Sequence, residues 1–395
     1  MTRKEFLRNS LTLGIGLPFL STLMSSCDEN EIVTPTFQTN FAGKVIVIGA
    51  GAAGMGAGYL LSRYGVDFQI IEASNDFGGR IKRADNFADF PIDLGGEWIH
   101  DNPSILAELI NNPNVNANVD LISYSPKTFQ TWNNGTLKQR NFARHFYSEY
   151  KFKSTTWYGF FENHIAPSIL DKMIFNTPIT AIDYTVDKVQ VTAQDGQIFE
   201  ADKVIVTTPI TILQNGMINF SPALPNAVQA NIDSVVMGDG FKAFIEFKER
   251  FYPDILLTGN LLEEASSSSK TFYNAAFGKD SSKNILGLFC VDDRATPYAQ
   301  LDTEQETLDT ILAELDEIYD GKASEHYVKH VFQNWSKEPY IQGSYSSDYD
   351  DISALSEPIN NKIYFAGELF GGDNSSTVHG ACQSGYAQVE KALNG

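Results

Sequence analysis

Three glycines early in the chain have the spacing that binds a dinucleotide. Gly49, Gly51 and Gly54 form G-x-G-x-x-G between an apolar run and a stretch with helical pattern. The first glycine permits a tight turn, the second lets the backbone approach a pyrophosphate, and the third allows close helix–strand packing. Glu72 ends the next apolar run, where a carboxylate can bind ribose hydroxyls. The order of these features predicts dinucleotide binding, and NAD and FAD share the pattern.

A second turn of similar composition lies near the end of the chain. The stretch IYFAGELFGGDNSSTVHGACQSG begins as an apolar run, reaches Gly367 and Glu368, passes through a Gly/Asn/Ser loop and enters a predicted helix. Backbone N–H groups at such a helix start stabilise negative charge. This stretch predicts a second contact with the cofactor.

Composition limits the possible classes of protein. The chain has 395 residues, 43% of them hydrophobic, which predicts a large core divided between two domains. A net charge of −20 disfavours nucleic-acid binding and favours cationic small molecules, although a surface charged for solubility explains it equally well. The six histidines are scattered without metal-ligand spacing, so we predict no metal site.

The first 26 residues predict an export signal. Three basic residues, Arg3, Lys4 and Arg8, precede a 14-residue apolar run that is too short to span a bilayer. RKEFL resembles a degenerate twin-arginine signal and MSSC a lipoprotein cleavage box, which would make Cys27 the lipidated terminus; a plain secretory leader is the alternative. Removal of residues 1–26 would change the net charge to −22, and residues 27–40 would form a tether.

The remaining chain alternates between strand and helix patterns. An α/β unit at 44–74 is followed by an aromatic-rich region, 106–169, which we expect to be mostly irregular or helical. Strand patterns return from residue 179, with a turn at Asp195-Gly196, and the serine-rich loop 263–270 is predicted to be a hairpin tip. Residues 302–321 predict an amphipathic helix with a capping box at Thr303 and Glu306.

Several stretches resemble the flavin amine oxidase family, which includes monoamine, polyamine and L-amino-acid oxidases. They are SNDFGGRIKR after Glu72, DLGGEWIH at 93–100, NTPITAI, ADKVIVTTPITIL, NWSKEPYIQGSYS and the closing IYFAGE…TVHGACQSG. The resemblance implies a Rossmann-like α/β FAD-binding domain interleaved with a substrate domain of mixed sheet and helices. The implied FAD-binding segments are 41–105, 170–236 and 346–395, and the implied substrate-binding segments are 106–169 and 237–345.

The resemblance also assigns residues to FAD. Near the ADP half and the diphosphate these are the glycine turn, Ala53, Glu72, Ala73, Gly79, Arg80 and Ile179. Near the flavin half they are Gly95, Gly96, Glu97, Trp98, Ile99, Trp335, Gly367, Glu368, Thr377, Val378 and Ala381. FAD is long, and two separate turns would fasten its two ends.

Five residues are candidates for the chemistry. The resemblance implies that Lys242 contacts flavin N5 through a water, that Trp335 lines the flavin, and that Tyr345 forms one wall of an aromatic cage. Thr377 stands where monoamine oxidases have the second cage tyrosine, and His100 matches a substrate-binding histidine of animal polyamine oxidases. The strand pattern alone places Lys242 opposite the buried face of Phe241, Ala243, Ile245 and Phe247, where lysines are usually exposed.

The implied reaction is oxidation of an amine to an imine, with O₂ reduced to hydrogen peroxide, and a polyamine-like substrate is favoured. Ser344 replaces the cysteine that binds FAD covalently in monoamine oxidases, so we expect non-covalent FAD. Two alternatives stay open. One is an L-amino-acid oxidase or another flavin oxidoreductase of the same fold; an amino-acid oxidase would need a cationic clamp, for which Arg140, Arg144 and Arg294 are available. The other is a non-catalytic flavin-binding envelope lipoprotein.

Overall fold

The computed structural model describes residues 38–110, 119–140, 149–258, 270–348 and 352–395. The predicted leader, Cys27, most of the tether, Arg144 and nearly all of the serine-rich loop lie outside the described residues. The export signal and the hairpin tip therefore stay predictions. Among the described residues, no helix combines the length and the apolar character needed to cross a membrane.

The described strands number twenty-three. They are β1 (Lys44–Ile48), β2 (Asp67–Ile71), β3 (Arg83–Ala84), β4 (Ile92–Asp93), β5 (Trp98–Ile99), β6 (Leu121–Tyr124), β7 (Phe129–Asn133), β8 (Thr136–Gln139), β9 (Glu149–Phe152), β10 (Met173–Ile174), β11 (Ile179–Asp183), β12 (Val189–Ala193), β13 (Ile198–Ala201), β14 (Lys203–Val206), β15 (Asn219–Ser221), β16 (Val236–Met237), β17 (Gly240–Phe247), β18 (Ile255–Thr258), β19 (Lys270–Asn274), β20 (Asn284–Val291), β21 (Tyr327–Asn334), β22 (Ser346–Asp348) and β23 (Ile363–Phe365).

The described α-helices number ten. They are α1 (Ala52–Tyr64), α2 (Ile105–Ile110), α3 (Trp157–His164), α4 (Ile210–Gln214), α5 (Asn226–Ser234), α6 (Thr296–Ala299), α7 (Glu304–Tyr319), α8 (Lys322–His326), α9 (Ser353–Ser356) and α10 (Val378–Asn394).

A five-stranded parallel sheet forms the dinucleotide-binding part of the fold. Its order is β10-β2-β1-β14-β23, and each neighbouring pair is parallel. Residues 45–47 in β1 are fully buried, as expected for a parallel strand covered on both faces. The predicted strand–turn–helix–strand unit at β1, α1 and β2 is confirmed. Because β1 lies in the middle, its carboxyl end delivers the glycine turn to the crevice where such sheets bind ligands.

A seven-stranded sheet forms the second part, in the order β21-β17-β20-β19-β18-β7-β8. Helix α7 packs on one face of β17, where Leu308 and Ile311 share a core with Phe241 and Ile245. Its capping box is present at Thr303 and Glu306, which confirms the predicted helix. The sheet takes its strands from residues 129–139 and 240–334, within the two predicted substrate-domain segments. The exact domain boundaries stay a prediction.

The region 106–169 contains four strands, β6 to β9, in addition to its helical and irregular parts. These strands pair with distant parts of the chain: β7 lies parallel to β18, and β9 pairs with both β5 and β6. Short strands of this kind are stabilised by cross-strand packing more than by local sequence preference. Most of the described residues of this region are nevertheless irregular or helical, as expected, and the four strands are the part that was not predicted.

Candidate active site

The glycine turn between β1 and α1 has the form that its spacing predicts. Gly49 has a φ of +103°, and a Cβ placed on Gly54 would lie 1.9 Å from the Gly49 carbonyl oxygen. A Cβ on Gly51 would have nothing closer than the Gly78 oxygen at 4.0 Å, because Gly51 faces a cavity. Helix α1 has no side-chain N-cap and no acidic residue in its first turn. Its first N–H groups therefore suit an anionic diphosphate.

Glu72 fastens this turn to the end of β2. One carboxylate oxygen accepts the Ala50 N–H at 2.6 Å, and the other accepts the Ser74 N–H at 2.8 Å and the Ser74 hydroxyl at 2.6 Å. Glu72 also lies on the cavity wall beside Ala73. The structure thus gives this acid a positioning role, and its binding of ribose hydroxyls stays a prediction.

The cavity between the two sheets has a volume of about 1620 Å³. Pockets for a drug-sized ligand usually measure about 300–1,000 Å³, so this cavity has room for a dinucleotide together with a small substrate. Most of the predicted site residues lie on its wall: Gly49, Gly51, Ala53, Glu72, Ala73, Gly79, Arg80, Gly95, Gly96, Glu97, Trp98, His100, Ile179, Lys242, Trp335, Tyr345, Gly367, Glu368, Thr377, Val378 and Ala381.

Two predicted residues lie off the wall. Gly54 packs beneath Gly49, as the third glycine of the pattern should. Ile99 was expected beside the flavin, but its side chain is 1% exposed and belongs to the core around α1 and α10. Side chains alternate between the two faces of a strand, so placing Trp98 on the cavity turns Ile99 away from it.

The paired glycines before Glu97 allow the wall segments to approach each other. A Cβ on Gly95 would lie 1.8 Å from the Arg80 carbonyl oxygen and 3.1 Å from the Trp335 ring. A Cβ on Gly96 would lie 2.5 Å from a methyl group of Val378 at the start of α10. These close approaches bring together segments that are hundreds of residues apart in sequence.

Lys242 is buried on β17, with 2% of its surface exposed. Its ammonium donates to the carbonyl oxygens of Asp93 and Gly95 at 2.7 and 3.0 Å and to Glu97 Oε2 at 2.6 Å. An ammonium has three N–H donors, and these acceptors use all three. The exposed position expected from the strand pattern is therefore wrong. The structure also leaves no donor of this ammonium for the water-mediated contact that the resemblance implies.

Glu97 has two further partners besides Lys242. Its carboxylate lies 3.5 Å from the Lys151 ammonium and accepts the Tyr273 hydroxyl at 2.5 Å. Burial alone would raise the pKa of Glu97, but Lys242 and Lys151 lower it to about 2. The carboxylate is therefore ionised and neutralised by the two lysines, so it is not available to attract a cationic substrate.

Lys151 is a site residue that the sequence analysis missed. It is 1% exposed, donates to the Ala275 carbonyl oxygen, and lies 5.0–5.7 Å from the ring centres of Trp98, Tyr124 and Tyr273. Burial lowers its pKa to about 8, although Glu97 acts in the opposite direction. The alternation of Glu149 and Lys151 on one face of a strand was the available signal, but this region was not expected to form strands.

Arg80 and Glu368 link the two cofactor-binding turns. Their charged groups lie 3.4 Å apart, and Glu368 also accepts the Ser346 N–H at 3.0 Å and the Ser346 hydroxyl at 2.7 Å. Both residues lie on the cavity wall. The ion pair leaves part of the guanidinium able to contact a diphosphate, as the resemblance implies.

Thr377 is the N-cap of α10. Its hydroxyl accepts the Gly380 N–H at 3.0 Å and donates to the Asn374 carbonyl oxygen at 2.6 Å. Val378 and Ala381 follow it on the cavity wall. The predicted helix start is confirmed, and the hydroxyl is committed to the cap.

His100 and two aromatic residues complete the wall. His100 Nδ1 lies 3.2 Å from Oε2 of the buried Glu149, which directs Nε2 away from Glu149. Trp335 is nearly fully buried, and Tyr345 is partly buried next to Ser344 on the same wall. Their catalytic roles stay predictions.

Two of the three arginines considered for the cationic clamp of an amino-acid oxidase are described, and neither lies on the cavity wall. They are Arg140 and Arg294, and Arg140 instead donates to the Thr131 hydroxyl at 3.2 Å. Arg144 lies outside the described residues. In the part of the chain that the structure describes, no group of three or more His, Cys, Asp or Glu side chains is arranged to hold a metal ion.

The fold and the cavity define a dinucleotide-binding protein in which a parallel sheet faces a second, mixed sheet. Residues 158–393 match the model of the flavin containing amine oxidoreductases, and residues 47–112 match that of a NAD(P)-binding Rossmann-like domain. The first match covers more than half of the chain. The chain therefore belongs to the flavin containing amine oxidoreductase family and is an FAD-dependent enzyme.

Relatives in this family differ in how much of their length is matched. Polyamine oxidase 4 of Oryza sativa subsp. japonica is 24% identical over 93% of this chain and 92% of its own. Lysine-specific histone demethylase 1B of Mus musculus is 29% identical over 54% of this chain, and the match spans 27% of the demethylase. A putrescine oxidase structure bound to putrescine superimposes with a TM-score of 0.70 and 16% identity, covering 90% of this chain and 99% of that one. That likeness shows the fold.

Proposed function

We propose that the protein oxidises a primary or secondary amine of polyamine-like shape to an imine, which water hydrolyses, and that O₂ is reduced to hydrogen peroxide. The observation that carries the proposal is the composition of the cavity wall, where Tyr345 supplies an aromatic ring and Thr377 a small side chain. An aromatic amine gains most from two stacking surfaces, whereas an extended aliphatic amine needs one.

The relatives support the same substrate class. The polyamine oxidase from rice matches nearly the whole chain, whereas the match to the mouse demethylase spans about a quarter of that protein. A polyamine-like substrate for this chain is therefore the proposal that also fits the more complete match.

The residues present fit FAD, because the glycine turn leaves Gly51 open to the cavity and α1 starts without a side-chain cap. The turn and Arg80 would hold the diphosphate, and the wall from Gly95 to Trp98 with the start of α10 would surround the flavin. FAD, when bound, supplies the redox chemistry by accepting two electrons from the amine.

The protein's own residues would orient the amine and remove its proton. Tyr345 and Trp335 present rings that hold a substrate carbon chain and exclude water. His100 directs Nε2 away from Glu149, so this atom is the candidate acceptor for the proton that a substrate ammonium must lose. Lys242 and Glu97 bind each other and take no proton in this scheme.

Electrostatic attraction of the substrate would come from other acids than Glu97. Asp101 and Asp373 lie on the cavity wall, partly or fully exposed to solvent, and neither belongs to the pairing of Glu97 with its two lysines. Exposed carboxylates attract cations over about 8–10 Å at moderate salt. We therefore expect KM for a polyamine to rise with ionic strength.

The test is peroxide release by the purified enzyme with a panel of amines and amino acids. We expect kcat/KM for spermidine-like polyamines to exceed that for benzylamine and phenylethylamine. Thr377→Tyr should reduce this difference in kcat/KM between polyamines and aromatic amines, because it adds a second ring to the cavity wall. Because Thr377 also caps α10, Thr377→Val is the control, since it loses the cap at about 1 kcal/mol without adding a ring.

Efficient turnover of aromatic amines with no reaction of polyamines would contradict the polyamine assignment. Peroxide release with amino acids alone would favour the amino-acid oxidase alternative. A protein that binds FAD and releases no peroxide with any amine would return the function to flavin binding without turnover.

We also propose that the protein is exported to the bacterial cell envelope and anchored by a lipid on Cys27. The basic start, the 14-residue apolar run and MSSC support this proposal. Cys27→Ala should prevent lipidation and change both the cleavage of the leader and the share of the protein found in the membrane fraction. If both leader cleavage and membrane fractionation were unchanged in that variant, the lipoprotein proposal would be wrong.

A further inference from the structure

Lys242 and Glu97 form the centre of a buried charge cluster, which also contains Asp93, Lys151, Tyr273 and Lys279. Lys242 lies on β17, Asp93 on β4, Lys151 on β9 and Tyr273 on β19, so four strands bring these groups together. Each of these four side chains is less than 9% exposed. Lys242 and Glu97 also line the cavity, so the cluster borders the cofactor site.

An ammonium buried this deeply requires a compensating charge. Without one, burial favours the neutral amine and would remove the positive charge from the cavity wall. The two backbone carbonyl acceptors of Lys242 supply dipoles, whereas Glu97 supplies the full negative charge at 2.6 Å. Glu97 is therefore the group on which the charge of Lys242 depends most.

The other groups around Lys242 do not replace Glu97. Burial and the neighbouring Glu97 hold the pKa of Asp93 well above its usual range, which keeps Asp93 uncharged near neutral pH. Lys151 and Lys279 carry charge of the same sign as Lys242, and Tyr273 donates its hydroxyl to Glu97. Lys279 donates to the Phe152 carbonyl oxygen at 2.6 Å.

We propose that Glu97 is a positioning residue that keeps the Lys242 amine protonated on the wall of the cofactor cavity. Lys242 then acts on the flavin as a fixed positive charge, with its three donors bound inside the protein. This inference rests on the proposed function only in placing bound FAD beside Lys242. It does not depend on which amine is oxidised.

The experiment measures sulfite binding to the FAD-loaded enzyme between about pH 6 and 9. Sulfite adds to oxidised flavin, bleaches its visible absorbance and leaves a negative charge that a nearby cation stabilises. We compare Glu97→Gln with the parent as a ratio of dissociation constants at each pH, because the titration of sulfite itself cancels in the ratio. The ratio should rise by about tenfold or more with pH as the variant's amine loses its proton.

Lys242→Met shows which lysine is responsible. In this background, adding Glu97→Gln should leave the ratio of the two dissociation constants independent of pH. Glu246→Gln is the matched control, because Glu246 is a buried acid on the same strand with two lysine partners, Lys283 and Lys329, and does not line the cavity. The ratio of the sulfite dissociation constants of Glu246→Gln and the parent should not change with pH.

Two outcomes would overturn the proposal. One is a ratio of dissociation constants for Glu97→Gln and the parent that does not change with pH. The other is an equal rise of that ratio with pH when Glu97→Gln is added to Lys242→Met. If Glu97→Gln alone does not load FAD, the double variant Glu97→Gln/Lys151→Met is used instead, because it removes one charge of each sign. Its sulfite dissociation constant is compared with that of Lys151→Met, and the ratio should again rise with pH. An enzyme that binds sulfite as expected but oxidises no amine would contradict the proposed function and leave this inference standing.

Discussion

Lys242 is the residue whose replacement should separate cofactor binding from turnover. Lys242→Met keeps an apolar side chain of similar length and removes the charge that borders the cavity. We expect reoxidation of the reduced flavin by oxygen to slow by about tenfold or more, because one unit charge near the flavin is lost, while FAD binding changes little. Stopped-flow absorbance measures the rate of reoxidation, and titration with FAD measures the affinity for the cofactor.

The control for Lys242→Met is Lys283→Met, which removes a half-exposed lysine from the same region. Reoxidation at the parent rate in Lys242→Met would show that the charge has no role in this step. Loss of FAD binding in that variant would give Lys242 a structural role instead.

Asp93 should make stability depend on pH. Its carboxyl accepts the Trp157 N–H at 3.0 Å, and burial together with Glu97 raises its pKa above its usual range. A raised pKa means that the folded state binds the proton more tightly than the unfolded state. Stability should therefore fall as pH rises from about 4 toward 8, with a slope on the order of 1 kcal/mol per pH unit at most.

Asp93→Asn keeps the acceptor for Trp157 and removes the proton equilibrium. The variant should lose that fall in stability, as measured by urea unfolding of the apo-protein at several pH values. Parallel pH profiles for parent and variant would show that Asp93 is ionised in the folded state at neutral pH.

At the scale of elements, two substitutions in the glycine turn after β1 should have different effects, one on stability and the other on FAD binding. Gly54→Ala would place a Cβ 1.9 Å from the Gly49 carbonyl oxygen, so we expect the free energy of unfolding to fall by roughly 1–3 kcal/mol. Gly51→Ala meets nothing in the protein closer than 4.0 Å and has a φ of −74°. We expect its apo-protein to be as stable as the parent, with weaker FAD binding.

Thermal unfolding of the apo-proteins and FAD titration test this pair together. Equal FAD affinity in Gly51→Ala and the parent would show that the cofactor does not approach this turn. Gly196→Ala does not serve as a control, because its φ of +89° adds strain of its own.

The elements also show what sequence alone can and cannot predict. The glycine turn and α7 were predictable because their signals are local: a fixed glycine spacing, a capping box and an apolar stripe. The pairing of Glu97 with Lys151 was not, because it depends on β9 lying beside β5, and short strands carry weak local signals. Lys242 shows the same limit, since its burial depends on what covers the second face of β17.

At the scale of the whole molecule, FAD should be held without a covalent bond. Ser344 lies on the cavity wall. The resemblance to monoamine oxidases implies a cysteine at this position in the covalent enzymes, and a hydroxyl cannot form the thioether. The purified protein should be yellow and should release its FAD into the supernatant after acid or heat denaturation. Flavin that stays with the precipitated polypeptide would contradict this prediction.

The contact between the first and last described helices, α1 and α10, bears on how the enzyme is made. A Cβ on Gly385 would lie 2.2 Å from the Ala53 carbonyl oxygen, and one on Gly56 would lie 2.8 Å from Cys382, so the two helices touch backbone to backbone. During translation, α1 leaves the ribosome long before α10 does. The helix that completes the wall behind the first glycine turn is among the last parts of the described chain to be synthesised. Cofactor capture should therefore follow translation, and a nascent chain stalled before α10 should be unable to retain FAD.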